Sequence, residues 1–167
     1  VDDAGNTWRD TMKESPRSAD MHLSLLGRLF AYAKDNEYIV RNPLERVERL
    51  HEGTRRDIIW SDEQLDKILN HAVPHIARVA KIALWTMQRQ ADILTMPTLA
   101  FDGARVSIKQ GKTGAKVRVM AAPDILPILR TAKENSQHRV LVNSFGHKWT
   151  SSGFRASWRK EMARLGI

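Results

Sequence analysis

Cysteine is absent from the 167 residues, which excludes a disulfide framework, a thiolate metal site and a cysteine nucleophile. Long apolar runs are also missing. Every hydrophobic stretch is short and broken by charge, so no membrane-spanning helix is expected. The carboxylates are not clustered in a way that would hold two magnesium ions, which argues against a metal-dependent nuclease. No phosphate-binding glycine-rich loop of the Walker type is present. His71 and His75 have helical i, i+4 spacing, but Pro74 lies between them and no His-Glu-x-x-His pattern exists, so no metal site is expected there. Tyrosine is nearly absent: Tyr32 and Tyr38 are the only two, and none follows Ile39.

Positive charge is what the chain does have. Twenty-seven lysines and arginines stand against 19 acidic residues, a net charge of +8. The excess is clustered. Ala104 to Met120 holds Arg105, Lys109, Lys112, Lys116 and Arg118 and no acid, and Arg139 to Ile167 holds six basic residues against Glu161 alone. Such patches attract a phosphate backbone, although a merely soluble basic surface is the plainer reading of charge by itself. Hydrophobic content of 42% is enough for a real core. The chain starts at Val1 with no initiator Met and no leader pattern, so it is expected to be a fragment of a longer cytoplasmic protein.

A helical signal around Trp8 to Met12 is weak. Ser15-Pro16 is a good helix start, because proline at the first position loses nothing by lacking an N–H. Leu23, Leu26, Phe30 and Ala33 continue it as an amphipathic helix to about Lys34. Asn42-Pro43 repeats the start signal, and Leu44, Val47 and Leu50 predict a short second helix. His51 to Arg56 is polar, contains Gly53 and reads as a linker. Arg55 and Arg56 could touch phosphate or simply be solvated. Ser61 with Gln64 forms a capping box, and Pro74 opens the helix that leads to Arg89. Thr98–Phe101, Arg105–Lys109 and Lys116–Met120 are three candidate strands, with Asp102-Gly103 as the first turn. Pro123-Asp124 starts a helix, Val140-Leu141-Val142 is a short buried run, and Thr150 precedes a last helix. There Phe154, Trp158, Met162 and Leu165 form one stripe and Arg155 and Arg159 another. The fold class is therefore mainly α with a small antiparallel β-sheet.

Two stretches carry the chemistry. Ile76, Val79, Ala80, Ala83, Leu84 and Met87 precede Arg89 at helical spacing, and Ile93, Leu94 and Met96 follow. Packing on both sides would direct the guanidinium, with Asp92 three residues on. The second stretch is a hairpin in which Val106 and Ile108 alternate inward, Gly111 to Gly114 supply the turn, and Val117 and Val119 alternate back. Lys112 falls at or near its tip. An arginine grips two phosphate oxygens at once, and a lysine adds a compact charge that can also release a proton. Taken singly, Arg89 reads as a structural arginine paired to Asp92, and Lys112 as one more exposed lysine.

In combination, Gln88-Arg89-Gln90-Ala91-Asp92-Ile93-Leu94 followed by a hairpin with Lys112-Thr113-Gly114 resembles the first half of the catalytic domain of phage-integrase-type tyrosine recombinases. Met87 departs from that family, where glycine is usual two residues before the arginine. The resemblance implies the end of a helical core-binding domain over 1–52, a linker over 53–60 and the first part of a catalytic domain over 61–167. It implies that Arg89 grips the scissile phosphate and that Lys112, rather than the nearby Lys116, protonates the departing 5′ oxygen. Asp92 is an orienting partner. Arg55, Arg56, Lys109, Lys116, Arg118, His147, Arg155 and Arg159 are the expected DNA contacts, with plain solvation equally open for His147.

No metal or cofactor is implied. The partners would be double-stranded DNA and, for the intact protein, a homo-tetramer on paired DNA sites, in a bacterial or phage-derived setting. The family also needs a His-x-x-Arg box after the hairpin and a late tyrosine that attacks the phosphodiester to give a 3′-phosphotyrosine. Neither is here: His75 to Arg78 has the spacing but precedes Arg89. The chain alone is thus expected to bind DNA without cutting it. Two rivals remain: a degenerate relative that occupies DNA sites, and an RNA- or protein-binding module whose basic surface is incidental.

Overall fold

The computed structural model describes residues 4–51 and 59–167, with side chains from Thr7 onward, and divides into two compact units, Val1–Ile59 and Trp60–Ile167. The expected linker falls largely outside the described residues, as do Arg55 and Arg56.

In the first unit, helix α1 spans Ala4–Asp10, earlier than the weak signal around Trp8 placed it, and α2 spans Pro16–Asp35 with Pro16 in its first turn. Ala19 and Leu23 are buried, and Leu26, Phe30 and Ala33 continue that stripe half-buried. The helix expected over Leu44 to Leu50 does not form. One turn follows Asn42, whose side-chain carbonyl accepts the Leu44 N–H (2.9 Å) while its amide donates to the Gly27 carbonyl (3.2 Å). Asp20 accepts the backbone N–H groups of Leu50 (2.9 Å) and His51 (3.0 Å), and the Glu48 carbonyl takes a hydrogen bond from Arg9 (2.8 Å). A segment this short cannot repay helix nucleation by itself, and side chains of α1 and α2 claim its backbone groups instead.

The second unit opens with the capping box. Ser61 accepts the Gln64 N–H, Gln64 returns a bond to the Ser61 N–H, and helix α3 spans Asp62–Asp66 before a π-helical turn at Lys67–His71. Helix α4, Pro74–Thr86, buries Ile76, Val79, Ala80 and Ile82, and α5 spans Gln90–Leu94. Strands β1 (Arg105–Lys109) and β2 (Lys116–Met120) pair antiparallel, Lys109 opposite Lys116. The third expected strand is absent. Thr98–Ala100 is a single 3-10 turn, and only Phe101 bridges to Val106. Pro97 has no N–H to give a ladder, and its carbonyl instead accepts the Ala100 N–H (3.0 Å), curling the chain.

Helix α6 spans Leu126–Glu134, starting later than Pro123. A start at Pro123 would set Pro127 one turn inside, where its missing N–H breaks a helical bond; the observed start puts Pro127 in the first turn. Helix α7, Ser151–Leu165, is capped by Thr150, which accepts the Gly153 N–H (3.0 Å). The main core is built from Ile82, Ile93, Val106, Ile125, Leu129 and Leu141 among others, and Ile68, Ala80 and Met162 form a second cluster. The fold is mainly α with a two-stranded antiparallel sheet, as the sequence implies.

Candidate nucleic-acid interface

Arg89 does not continue α4. The helix stops at Thr86, Met87 turns left-handed (φ 53°), and Arg89 is extended as the residue before α5. The break explains why glycine suits the position of Met87. A left-handed residue with a Cβ costs about 1–2 kcal/mol, and glycine adopts it freely. Met87 itself is 80% exposed and packs on little. The result is an arginine at a junction of two helices, its side chain 48% exposed while its neighbours Ile93 and Leu94 are buried.

Asp92 is buried and serves two partners. Its Oδ1 accepts the Gly111 N–H at 2.8 Å, and its Oδ2 faces the Arg89 guanidinium at 3.9 Å, too far for a hydrogen bond. Oδ2 has no hydrogen-bond partner at all among the described residues. A Cβ at Gly111 would lie 3.3 Å from that Oδ1, a tight contact that the carboxylate would meet by a shift of a few tenths of an ångström. A second link runs parallel: the Gln110 side-chain Nε2 donates to the Gln88 side-chain Oε1 at 2.8 Å. Thus the residues on either side of Arg89 hold the two residues that precede Lys112. Gly114 (φ 71°) closes the turn, the Gln110 N–H bonds the Ala115 carbonyl (2.8 Å), and Lys112 stands exposed at the tip.

The hairpin has two chemically distinct faces. Val106 and Ile108 are buried, and Val117 and Val119 are half-buried. The opposite face carries Arg105, Lys109, Lys116 and Arg118, all exposed. Lys109 directly opposes Lys116 in the register. Like charges across an antiparallel pair are destabilising, and a polyanion laid on that face would neutralise them. The Asp102 carboxyl at the turn lies below its ordinary range because the Ala104 and Arg105 N–H groups bond it, with Arg118 and Arg105 assisting.

The remaining expected contacts lie elsewhere in this unit. His147 is exposed in a turn organised by Asn143, whose Oδ1 accepts the Phe145 and His147 N–H groups (2.9 Å each). Arg155 and Arg159 are exposed one turn apart on α7 and line the rim of an apolar cavity of about 610 Å3 with Trp60, Leu84 and Trp158. Among the described residues, no hydrogen bond or ion pair joins these three side chains to the hairpin. An indirect route exists through Gln90, next to Arg89, which bonds the Ser151 hydroxyl (3.3 Å) on the first turn of α7. The sequence pattern assigns Gln88 and Gln110 no role of their own and places Gly111 only in the hairpin turn. The signal available was a glutamine directly before the arginine and a Gln-Gly pair directly before the lysine. No cluster of three or more potential metal ligands occurs among the described residues.

No family profile and no curated protein matches the chain. Solved structures do. A lambda integrase dimer bound to a COC′ core site superposes with a TM-score of 0.80 at 16% identity, covering 98% of this chain and 62% of that one. A lambda integrase tetramer bound to a Holliday junction gives 0.76 at 16% identity, covering 100% and 55%. The integrase of mycobacterium phage Brujita gives 0.55 at 14%, covering 92% and 53%. The chain thus spans roughly half to three-fifths of the integrase chains it matches. What it shares with them is the fold.

Proposed function

We propose that this chain is part of a tyrosine recombinase and binds duplex DNA through the face built around Arg89 and the β1–β2 hairpin. The observation that carries the reading is the double attachment of the hairpin to the residues flanking Arg89. In the intact protein Arg89 would hold the scissile phosphate, stabilising charge that builds in the pentacovalent transition state. Lys112 would protonate the departing 5′ oxygen, and Asp92 would orient the arginine and the hairpin. Lys109, Lys116 and Arg118 would lie along the backbone of the duplex, with Arg55, Arg56, His147, Arg155 and Arg159 extending the contact. On this reading residues 1–52 close a core-binding domain, 53–60 link it, and 61–167 begin the catalytic domain of a protein that recombines as a tetramer on paired sites in a bacterial or phage-derived cytoplasm. Integrases that share the fold are held on DNA as dimers and tetramers in the solved structures, which supports the choice of partner.

The 167 residues hold no tyrosine beyond Tyr38 and no His-x-x-Arg after the hairpin. The chain by itself should therefore occupy DNA and leave it uncut. A second reading compatible with these residues is a site-occupying relative that never cleaves. Reading the gene beyond the Ile167 codon separates the two: a His-x-x-Arg codon run and then a late tyrosine support the enzyme, and a stop codon supports the non-cleaving binder.

Binding is tested by titrating a short duplex at increasing salt, with heparin as competitor. With the five contacts of Arg89, Lys109, Lys112, Lys116 and Arg118 alone, affinity should fall about five-hundredfold between 50 and 200 mM salt. Arg89→Ala and Lys112→Ala should each lower the logarithmic salt slope by about 1. Equal competition by heparin at matched charge, with both slopes unchanged, would leave the basic surface incidental.

A further inference from the structure

The turn that carries Lys112 is held from both sides, and one of the two attachments is a chain of side-chain amides whose direction is forced. It starts at the Thr86 backbone carbonyl. Thr86 is buried, with its hydroxyl bonded to the Ile82 carbonyl (2.6 Å), so this anchor belongs to the rigid end of α4. A carbonyl can only accept. The Gln88 side chain must therefore turn its NH2 group toward it (3.0 Å), leaving its own oxygen facing the hairpin. Gln110 must then present its NH2 group to that oxygen (2.8 Å), and its own oxygen is left to accept the Thr113 hydroxyl (2.8 Å). Thr113 in turn accepts the Ala115 N–H (3.4 Å). Each amide has one orientation that satisfies its neighbours, so the end of α4 dictates the conformation of the residue next to Lys112.

We infer that Gln88 and Gln110 are positioning residues, forming a relay that sets where Lys112 stands relative to a phosphate held by Arg89. The inference rests on the duplex-binding reading above. It adds that the lysine is a pre-placed contact whose contribution depends on two glutamines that touch no DNA. The Asp92 to Gly111 bond fixes the entry to the turn, and the relay fixes the exit at Thr113. Without the relay, Lys112 sits on a tip of exposed residues free to swing away from the phosphate.

A double-mutant cycle between the relay and Lys112, read as duplex affinity of the full chain at 0.1 M salt, tests this. One phosphate contact is worth roughly fivefold to tenfold there. Lys112→Ala should cost that much in the parent chain and less than about twofold in a Gln88→Met or Gln110→Met background. The two methionine variants keep the side-chain length and remove the amide, and the double variant should behave like either single one. In parallel, amide hydrogen exchange at Gly114 and Ala115 should quicken in both variants while the β1–β2 ladder amides stay protected. If Lys112→Ala costs the same in every background, the relay does not position the lysine and the inference is overturned. If neither Lys112→Ala nor Arg89→Ala changes duplex affinity in the parent chain, the duplex reading fails instead. Gln110→Met serves as the independent second variant should Gln88→Met unfold.

Discussion

Two carboxylates in the second unit are built to one plan and finished differently. Glu161 on α7 and Asp92 on α5 are both buried, each accepts a backbone N–H from a distant part of the chain, and each has an arginine three residues away. At Glu161 the arrangement is closed. Arg164 bonds both carboxylate oxygens (2.6 and 3.0 Å) and passes a further bond to the His71 carbonyl (2.8 Å), while Glu161 takes the Val73 N–H (2.8 Å) at the start of α4. At Asp92 it is open. Arg89 stands 3.9 Å away, among the described residues it donates no hydrogen bond, and the facing oxygen has no partner. A closed pair has used its hydrogen-bonding capacity on the fold, whereas an open pair keeps an arginine available to a ligand. The same chemistry thus holds a helix in one place and leaves a guanidinium half exposed in the other.

Breaking the closed pair should have the largest effect. Glu161→Ala leaves the Val73 N–H and Arg164 without their acceptor and should cost about 2–3 kcal/mol in urea denaturation, discounted from a fully buried pair because Arg164 is half exposed. Asp92→Ala removes the acceptor of one backbone N–H and leaves Arg89 without its distant carboxylate, and should cost only about 1–2 kcal/mol while speeding amide exchange at Gly111. Equal losses at the two sites would erase the distinction between closed and open.

Acid sharpens the comparison further. The Arg164 hydrogen bonds, with the Val73 N–H adding to them, hold the Glu161 carboxyl below its ordinary value against the opposing effect of burial. A carboxyl depressed in the folded state binds protons more readily when unfolded. Its stabilisation is therefore present above the ordinary glutamate range and is lost as pH falls through the depressed folded value. Glu161→Gln should remove part of the acid destabilisation that sets in as pH falls below the ordinary glutamate range, and leave a flatter stability profile. The smallest effect is expected at the helix break. Met87→Gly relieves the left-handed backbone and should stabilise by about 0.5–1 kcal/mol, without moving Arg89. A loss of stability there would show that methionine packs in a way its 80% exposure hides.

Elements with a local cause were legible before any coordinates. Pro16, Pro74 and the Ser61–Gln64 box start helices because each supplies or dispenses with a specific terminal hydrogen bond. The β1–β2 hairpin follows from period-two alternation closed by Gly111 and Gly114. Misreadings occurred where another segment decided the outcome. Leu44, Val47 and Leu50 carry helical spacing, but Asp20 and Arg9 take the backbone groups of that stretch. Thr98 to Phe101 has strand composition, but the chain curls into a 3-10 turn after Pro97 and only Phe101 reaches β1, bridging to Val106. The break at Met87 was hidden because the apolar spacing runs through it; only the departure from glycine marked the spot.

By itself, the sequence determined the helix starts at Pro16, Ser61, Pro74 and Thr150, the hairpin with Lys112 at its tip, the cationic face of that hairpin and the buried stripe of α7. All of these depend on residues within a few positions of one another. Tertiary structure alone decided that Arg89 leaves its helix, that Asp92 and Gln88 hold the hairpin, and that Glu161 closes with Arg164 on the start of α4. Those bonds join residues 19 to 88 positions apart. Which distant N–H a buried carboxylate will accept depends on how the whole core packs, and no local pattern records it.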